Sequence, residues 1–395
     1  MKIGIQAGTF AGRRTGVNNY CYNLISTLAE IAPELEFLSA NLFGWDKIVP
    51  ADIPSESKSE VARNGFSRQS VSGRLIGGLK KLESVRAVHS TLRERLLRRV
   101  YRSRDLSLFH AFNYVPPANL VVTTLPVVYD LSFVRYPEMH PKERLRQLSS
   151  LQKYVEQAPL VHTISEFSKR EIVDVYNVAA DRVFVAYPAA AANFRPLGRD
   201  TTTVDLKAID LTFGHYFLAV GTLEPRKNLK TLIAAYANLA RCDRQYFPLV
   251  IVGGEGWGQV NFPPATDALV REGSLRMIGF ASDRVLRSLY EGARLMLYPS
   301  VYEGFGMPVV EAMACGTSVA HSVDTSMEEI GAGLLTRVPA LDVAAWTECL
   351  RRAAAEDQPG WAIRDALIMR ASTFDWKNAA TLVYDAYTKI CSTKD

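Results

Sequence analysis

An α/β fold of two doubly wound parallel-sheet units is predicted for this chain of 395 residues, on three observations. Short apolar runs alternate with longer amphipathic ones along most of the length, the pattern of strands joined by crossover helices. The apolar runs are mostly continuous, as parallel strands covered on both faces require. The alternation occurs twice, on either side of a stretch over 188–205 that is rich in Ala, Pro and Thr and has little periodicity. Such a length also suits two hydrophobic cores better than one.

The first half supplies the strand candidates Lys2–Gln6, Leu35–Ser39, Leu106–His110, Leu120–Tyr129, Leu160–Ile164 and Val183–Ala186. The second supplies Tyr216–Val220, Leu249–Val252, Leu275–Ile278, Leu295–Tyr298 and Ser318–His321. Helical periods fall between them, as in Asn228–Ala240 and Asp283–Ala293. A last amphipathic helix is expected over Phe374–Ile390, with Ala379, Ala380, Val383, Ala386 and Tyr387 on its apolar face. The expected domains are 1–195 and 196–373, with 374–395 returning to the first. Ligands of such sheets bind at the carboxyl ends of the strands, so the chemistry belongs in the loops there.

Composition narrows the class. Five dispersed cysteines form no CxxC pair, which suits a reducing compartment rather than a disulfide framework. Met1-Lys2-Ile3-Gly4-Ile5 runs straight into a strand pattern, and no apolar stretch approaches the roughly 20 residues of a spanning helix. The expected location is the cytoplasm, with contact at the inner face of the cytoplasmic membrane left open. Between Arg63 and Arg104 stand twelve Lys or Arg and two acids, an excess of +10 against a whole-chain net of +5.

The densest chemical signal is Tyr298-Pro-Ser-Val-Tyr-Glu303-Gly304-Phe305-Gly306-Met307-Pro308-Val-Val-Glu311-Ala-Met-Ala-Cys-Gly316. A strand ends at Tyr298 and a Gly-rich loop opens a helix, with Pro308 in the first turn and Gly316 as a left-handed cap. Free N–H groups and partial positive charge at the helix start suit an anionic or hydroxyl-rich ligand. Glu303 and Glu311 are out of place beside phosphate alone, but each can accept hydrogen bonds from sugar hydroxyls. The plain alternative makes them a turn acid and a solvated helix residue.

Strand Tyr216–Val220 leads into Gly221-Thr-Leu-Glu-Pro-Arg226-Lys227-Asn-Leu229. Two adjacent cations at a strand-to-helix turn can neutralise a diphosphate, Arg226 as a fork and Lys227 as a compact charge, unless they are simply solvated. Gly253, in Gly253-Gly-Glu-Gly-Trp-Gly258 after Leu249–Val252, opens a third Gly-rich loop, a ligand contact or a plain turn. In the first half, Gly8-Thr-Phe-Ala-Gly12-Arg13-Arg14-Thr15-Gly16 is a Gly-rich turn opening a helix.

In order and along nearly the whole chain, these strings resemble the retaining glycosyltransferases of family four. That resemblance implies the GT-B architecture: two Rossmann-like doubly wound parallel-sheet domains facing a cleft, with the C-terminal helix returning to the first. It implies that Glu311 grips the donor ribose, and that Glu303, with Gly304, Phe305, Gly306 and Met307, holds the donor sugar. Arg226 and Lys227 would hold the diphosphate between Gly221 and Gly253, with Gly16 approaching from the other domain. Many relatives carry Arg where Thr222 stands, a charge Arg226 would have to supply, and most carry His where Tyr129 stands, so either Tyr129 takes its place as a hydrogen-bonding group or the site is less active. The Glu-Pro-Arg-Lys-Asn string resembles that of bacterial polysaccharide mannosyltransferases, which implies a hexose donor such as GDP-mannose. Retention by front-side attack is likewise implied, with a glycan or polyprenyl-diphosphate-linked glycan as acceptor.

Read without the resemblance, Asp130 orients an acceptor hydroxyl or caps the following turn. His110, at a strand end, faces the cleft or is a satisfied structural residue. Ser165 reads as the N-cap of a helix. No Asp-x-Asp and no His/Cys ligand cluster occurs. No metal or cofactor is therefore expected, and leaving-group charge falls to Arg226, Lys227 and helix N-termini. From Arg74 to Tyr101 apolar and basic residues interleave as in a basic amphipathic helix, which suits anionic lipid or a sheet-packed helix with solvated cations. Nucleic acid is not expected there, because stacking aromatics are lacking. A weakly catalytic sugar-nucleotide binding protein and a sugar-nucleotide epimerase are the competing functions.

Overall fold

The computed structural model describes residues 1–6, 16–40, 45–48, 100–101, 105–258, 260–356 and 361–392. Most of the basic 63–104 segment, and Gly8 to Thr15, lie outside the described residues. The contacts group the chain into two compact units. The first comprises Met1–Val127, Ser150–His162 and Trp376–Asp395, and the second Val128–Ser149 and Thr163–Asp375.

The described residues form two sheets. Strands β1 (Lys2–Ile5), β2 (Glu36–Ala40), β3 (Trp45–Lys47), β4 (Leu108–Ala111), β5 (Thr124–Val128), β6 (Val161–Thr163) and β7 (Val183–Val185) make a seven-stranded sheet in the order β3-β2-β1-β4-β5-β6-β7. Strands β8 (Phe217–Val220), β9 (Leu249–Val252), β10 (Leu275–Gly279), β11 (Leu295–Tyr298), β12 (Val319–Ser322) and β13 (Thr336–Val338) make a six-stranded one in the order β10-β9-β8-β11-β12-β13. In the second sheet the chain winds outward from β8 through β9 to β10, then restarts at β11 on β8's other side. The reversal opens a crevice beyond the carboxyl ends of β8 and β11, where doubly wound sheets bind ligands.

Each apolar run predicted as a strand is one. Two strands are additions, β3 and β13, both three-residue edge strands with exposed positions. β3 also departs from the expected parallel pattern, because it pairs antiparallel with β2, Leu38 facing Lys47 and Ala40 facing Trp45. The second core packs Phe217, Ile251, Leu297 and Ala320 of the strands against Leu232, Tyr236, Trp346 and Leu350 of two helices.

The aperiodic 188–205 stretch contains the start of a helix, Arg199–Lys207. Its entry is organised from a distance. The buried carboxylate of Glu291 accepts from the Leu197 N–H (2.6 Å), the Gly198 N–H (3.1 Å) and the Thr202 hydroxyl (2.6 Å), and pairs with Arg364 (2.9 Å). A cap supplied from 90 residues downstream leaves no local signature. By contrast, Ser165 caps Glu166–Tyr176 as expected, its hydroxyl accepting from the Ser168 N–H at 2.9 Å.

The terminal helix, Trp376–Ser392, buries Ala379, Ala380, Val383, Ala386 and Tyr387 as its periodicity requires, and Ile390 as well. Within the first unit it packs on the helix Gly16–Ile31 and touches β4. A buried hydrogen-bonded chain ties these elements together. Tyr20 Oη lies 2.8 Å from His162 Nε2, His162 Nδ1 lies 3.0 Å from His110 Nε2, and His110 Nδ1 lies 2.7 Å from Tyr387 Oη. Of the two readings of His110 this is the structural one, and its place among the catalytic candidates is corrected: it has no exposed surface and both ring nitrogens are engaged within the core.

Burial pulls His162 down to about 3, and burial with the neighbouring His162 pulls His110 well below its ordinary value. Both depressed values mean that the unfolded chain binds protons first as pH falls. The stability these residues contribute is therefore whole above about pH 6.5 and declines below it, for His162 down to about pH 3 at about 1.4 kcal/mol per pH unit. Urea midpoints at pH 7.5 and 5.0 should fall further in the wild type than in His162→Gln. Parallel falls would show that this chain does not set the acid limit.

Candidate active site

The site grows from the ends of β8 and β11. After β8, Gly221 to Glu224 run into a 3₁₀ turn, Pro225–Lys227, and Asn228 takes a left-handed conformation (φ 53°) before the helix Leu229–Ala237. This is why the helix begins at Leu229 and not at the predicted Asn228. The Asn228 amide explains the strained position. Its Nδ2 donates to the Pro299 and Ala340 carbonyls (3.0 and 2.7 Å), and its Oδ1 accepts from the Thr231 hydroxyl at 2.7 Å. Asparagine tolerates this backbone, and its side chain fixes the turn that carries Arg226 and Lys227.

Both cations turn inward. Lys227 Nζ donates to Glu303 Oε1 at 2.6 Å and to the Tyr298 hydroxyl at 2.7 Å, and sits 4.8 Å from the Tyr298 ring centroid. Arg226 pairs with Glu303 Oε2 (3.1 Å) and Glu224 Oε1 (3.0 Å), and donates to the Tyr302 carbonyl at 3.2 Å. Its guanidinium also lies 5.7 Å from the Trp257 ring centroid. One buried cation, one half-buried cation and two buried carboxylates thus form one cluster at the switch point.

The two acids are driven apart. Burial pushes Glu303 up, but Arg226 and Lys227 outweigh it and hold the carboxyl at about 2. Glu224 is raised, because burial prevails over the same two cations. For Lys227, burial lowers the ammonium against the pull of Glu303. Burial also lowers Arg226, but Glu303 and Glu224 more than reverse it. At neutral pH the geometry is that of an ionised Glu303 clasped by two cations.

Downstream of Glu303 the chain is shaped by close approach. A Cβ on Gly304 would lie 2.1 Å from the Tyr129 carbonyl oxygen, so only glycine fits. A Cβ on Gly253 would lie 1.8 Å from the Gly221 carbonyl oxygen, so the turn after β9 can pass the turn after β8 only with glycine there. Gly306 (φ 105°) starts the helix Met307–Ala314, with Pro308 in its first turn, and Gly316 (φ 78°) follows its end as predicted. Glu311, one turn in, accepts from the Tyr290 hydroxyl at 2.8 Å, and Tyr290 is wholly buried. A hydroxyl from the neighbouring helix therefore aims this carboxylate.

Not every predicted residue presents its side chain here. The Phe305 ring is buried against Tyr187 and Phe374, so only its backbone is left to meet a ligand. Tyr129 is buried, and its carbonyl accepts from the Ser168 hydroxyl at 3.0 Å. Asp130 Oδ1 accepts from the Ser132 N–H (3.1 Å) and hydroxyl (2.8 Å), the turn-capping role that was one of its two readings. Gly16 begins the helix Gly16–Ile31 in the first unit. Among the described residues, no three His, Cys, Asp or Glu side chains gather as a metal site would need.

Five residues of this region carried no assigned role in the sequence: Glu224, Trp257, Tyr290, Tyr298 and His140. Glu224, Trp257 and Tyr298 stand inside the quoted strings, so position beside Arg226, or in a Gly-rich loop, was the available signal. Tyr290 and His140 had none.

A doubly wound sheet with a carboxylate–cation cluster at its switch point offers the groups with which an anionic, hydroxyl-rich ligand can be held. Comparison with known proteins agrees. Residues 213–334 match the family described as glycosyl transferases group 1. The chain is 32% identical over 384 residues to the O-antigen chain mannosyltransferase B of Escherichia coli, covering 94% of this chain and 96% of that one. Solved structures share the fold: a sucrose-phosphate synthase from Thermosynechococcus elongatus (TM-score 0.71, 17% identity, 99% of both chains) and Anabaena HepE in complex with UDP-glucose (TM-score 0.69, 15% identity, 98% of this chain and 100% of that one). The chain belongs to the group 1 glycosyltransferases, with the GT-B fold, and is a glycosyltransferase.

Proposed function

We propose that the enzyme moves a mannosyl residue from GDP-mannose, with retention of configuration and without a metal, onto a glycan or polyprenyl-diphosphate-linked glycan in cell-surface polysaccharide synthesis. The observation that carries this reading is the buried clasp of Glu303 by Arg226 and Lys227, at the switch point where a donor would lie. The two cations supply fixed positive charge for a departing diphosphate, the role a divalent ion fills elsewhere. Glu303 accepts bonds from the transferred sugar, and Glu311, aimed by Tyr290, from the donor ribose. The departing phosphate oxygen helps to take the acceptor proton. The mannosyl donor and the polysaccharide context are supported by the Escherichia coli mannosyltransferase, a relative matched over 94% of this chain. Work on a lipid-linked acceptor is placed at the inner surface of the cytoplasmic membrane as part of this proposal; among the described residues no helix is long and apolar enough to cross a membrane.

Release of nucleoside diphosphate from GDP-, UDP- and ADP-sugars, with and without a mannan acceptor, tests the reading. GDP-mannose should give acceptor-dependent release, and excess EDTA should leave its rate largely intact. Preference for another nucleotide sugar would overturn the donor. A complete loss in EDTA restored by Mg²⁺ or Mn²⁺ would overturn metal independence.

A further inference from the structure

We infer that His140 is a further ligand-contacting residue of the transfer site, and that its imidazole hydrogen-bonds a pyranose hydroxyl. This rests on the functional reading above and deepens it. His140 follows the short 3₁₀ turn Pro137–Met139, and its backbone N–H closes that turn on the Pro137 carbonyl at 3.1 Å. Its ring stacks on Trp257, with centroids 5.9 Å apart and planes 25° apart. Trp257 in turn lies against the guanidinium of Arg226, which is paired with Glu303. His140 is thus linked to the cation–carboxylate cluster through one aromatic ring.

Both ring nitrogens of His140 are occluded, and neither has a hydrogen-bond partner among the described residues. The ring stacks on Trp257 while its two polar atoms are left idle, an arrangement that costs free energy in the unliganded protein. Phenylalanine would keep the stacking without that cost. The charged groups that bear on the ring are Asp130 and Glu138 on one side of the balance and Arg226 and Arg144 on the other, with burial favouring the neutral form. A neutral imidazole offers one donor and one acceptor, which is what a single sugar hydroxyl needs. The surroundings match such a ligand. Trp257 is 38% exposed, so apolar indole surface beside the imidazole is open to a pyranose, and Asp130 bears on the ring as a second acceptor. The hydroxyl can belong to the transferred hexose or to the acceptor, and kinetics separate the two.

The test compares His140→Phe and His140→Gln with the wild type, using GDP-mannose and the best mannan acceptor. Phenylalanine keeps the stack and removes both nitrogens, while glutamine keeps a donor and an acceptor. His140→Phe should lower kcat/KM about ten- to a hundredfold, the range expected when a ligand hydroxyl loses its partner. His140→Gln should recover part of this. GDP affinity should stay within about twofold in both, since Lys227 and Glu311 are untouched, and the thermal midpoint of His140→Phe should not fall. A loss that also appears in donor hydrolysis without acceptor assigns the hydroxyl to the hexose. A loss confined to acceptor KM assigns it to the acceptor. Transfer by His140→Phe within threefold of the wild type would overturn the inference, as would loss of GDP binding in step with transfer. Absence of transfer in the wild type would instead overturn the proposed function.

Discussion

Replacing Lys227 by alanine is expected to slow sugar transfer by on the order of a hundredfold or more, the effect of losing about 3–4 kcal/mol of transition-state stabilisation. Diphosphate gathers charge as it leaves, and Lys227 is a compact, buried cation that cannot be replaced by water. Its Nζ is held by Glu303 and Tyr298, so the ammonium is placed before any ligand arrives and needs little reorganisation. Alanine would also leave Glu303 with Arg226 alone, at some cost in stability. Single-turnover rates at saturating donor, measured below the unfolding range, separate the two effects. Turnover within a few-fold of the wild type would reduce Lys227 to an internal counter-ion for Glu303.

The second large effect separates the two glutamates. Glu311→Gln should weaken nucleoside diphosphate and intact donor alike, by about tenfold or more, because both ligands carry the ribose and a charge-assisted hydrogen bond contributes roughly 1.5–3 kcal/mol. Glu303→Gln should lower transfer by a similar factor or more. Its effect on nucleoside diphosphate should be small, and in the direction of tighter binding. Glu303 pairs with both cations at 3.1 and 2.6 Å, so a neutral amide there frees positive charge for the diphosphate. Calorimetry with nucleoside diphosphate and with intact donor on both variants reads the contrast. Equal losses for both ligands in both variants would remove the division of roles.

The fold was legible wherever burial wrote itself into the sequence. Strands covered on both faces read as unbroken apolar runs, and the terminal helix showed its buried stripe residue by residue. β3 and β13 were not legible, because a three-residue edge strand needs no apolar run and the exposed Asp46, Lys47 and Arg337 look like loop. The cap on Arg199–Lys207 was hidden because Glu291 reaches it through space. The site was half legible for the same reason. Strings that run from strand end to helix start carried Arg226, Lys227, Glu303 and Glu311. Their partners Tyr290 and Tyr298 look in sequence like ordinary core tyrosines. His110 stayed open between two readings because a strand-end histidine looks alike whether it meets a ligand or another buried side chain.

The Tyr20–His162–His110–Tyr387 chain obliges its hydrogens to line up. Each neutral imidazole carries a single ring hydrogen, so it can give to one neighbour only and must receive from the other. Three consecutive links then have two permitted arrangements, all pointing from Tyr20 toward Tyr387 or all the reverse. Neither histidine can change tautomer unless the other does. Tyr20→Phe removes the hydroxyl facing His162 Nε2 and so favours a lone pair over an N–H there, the arrangement running toward Tyr387, and Tyr387→Phe favours its mirror. A pair of single hydroxyl deletions, at opposite ends of this hydrogen-bonded chain, would thus bias which nitrogen of each histidine is protonated, a choice readable from the imidazole nitrogen chemical shifts.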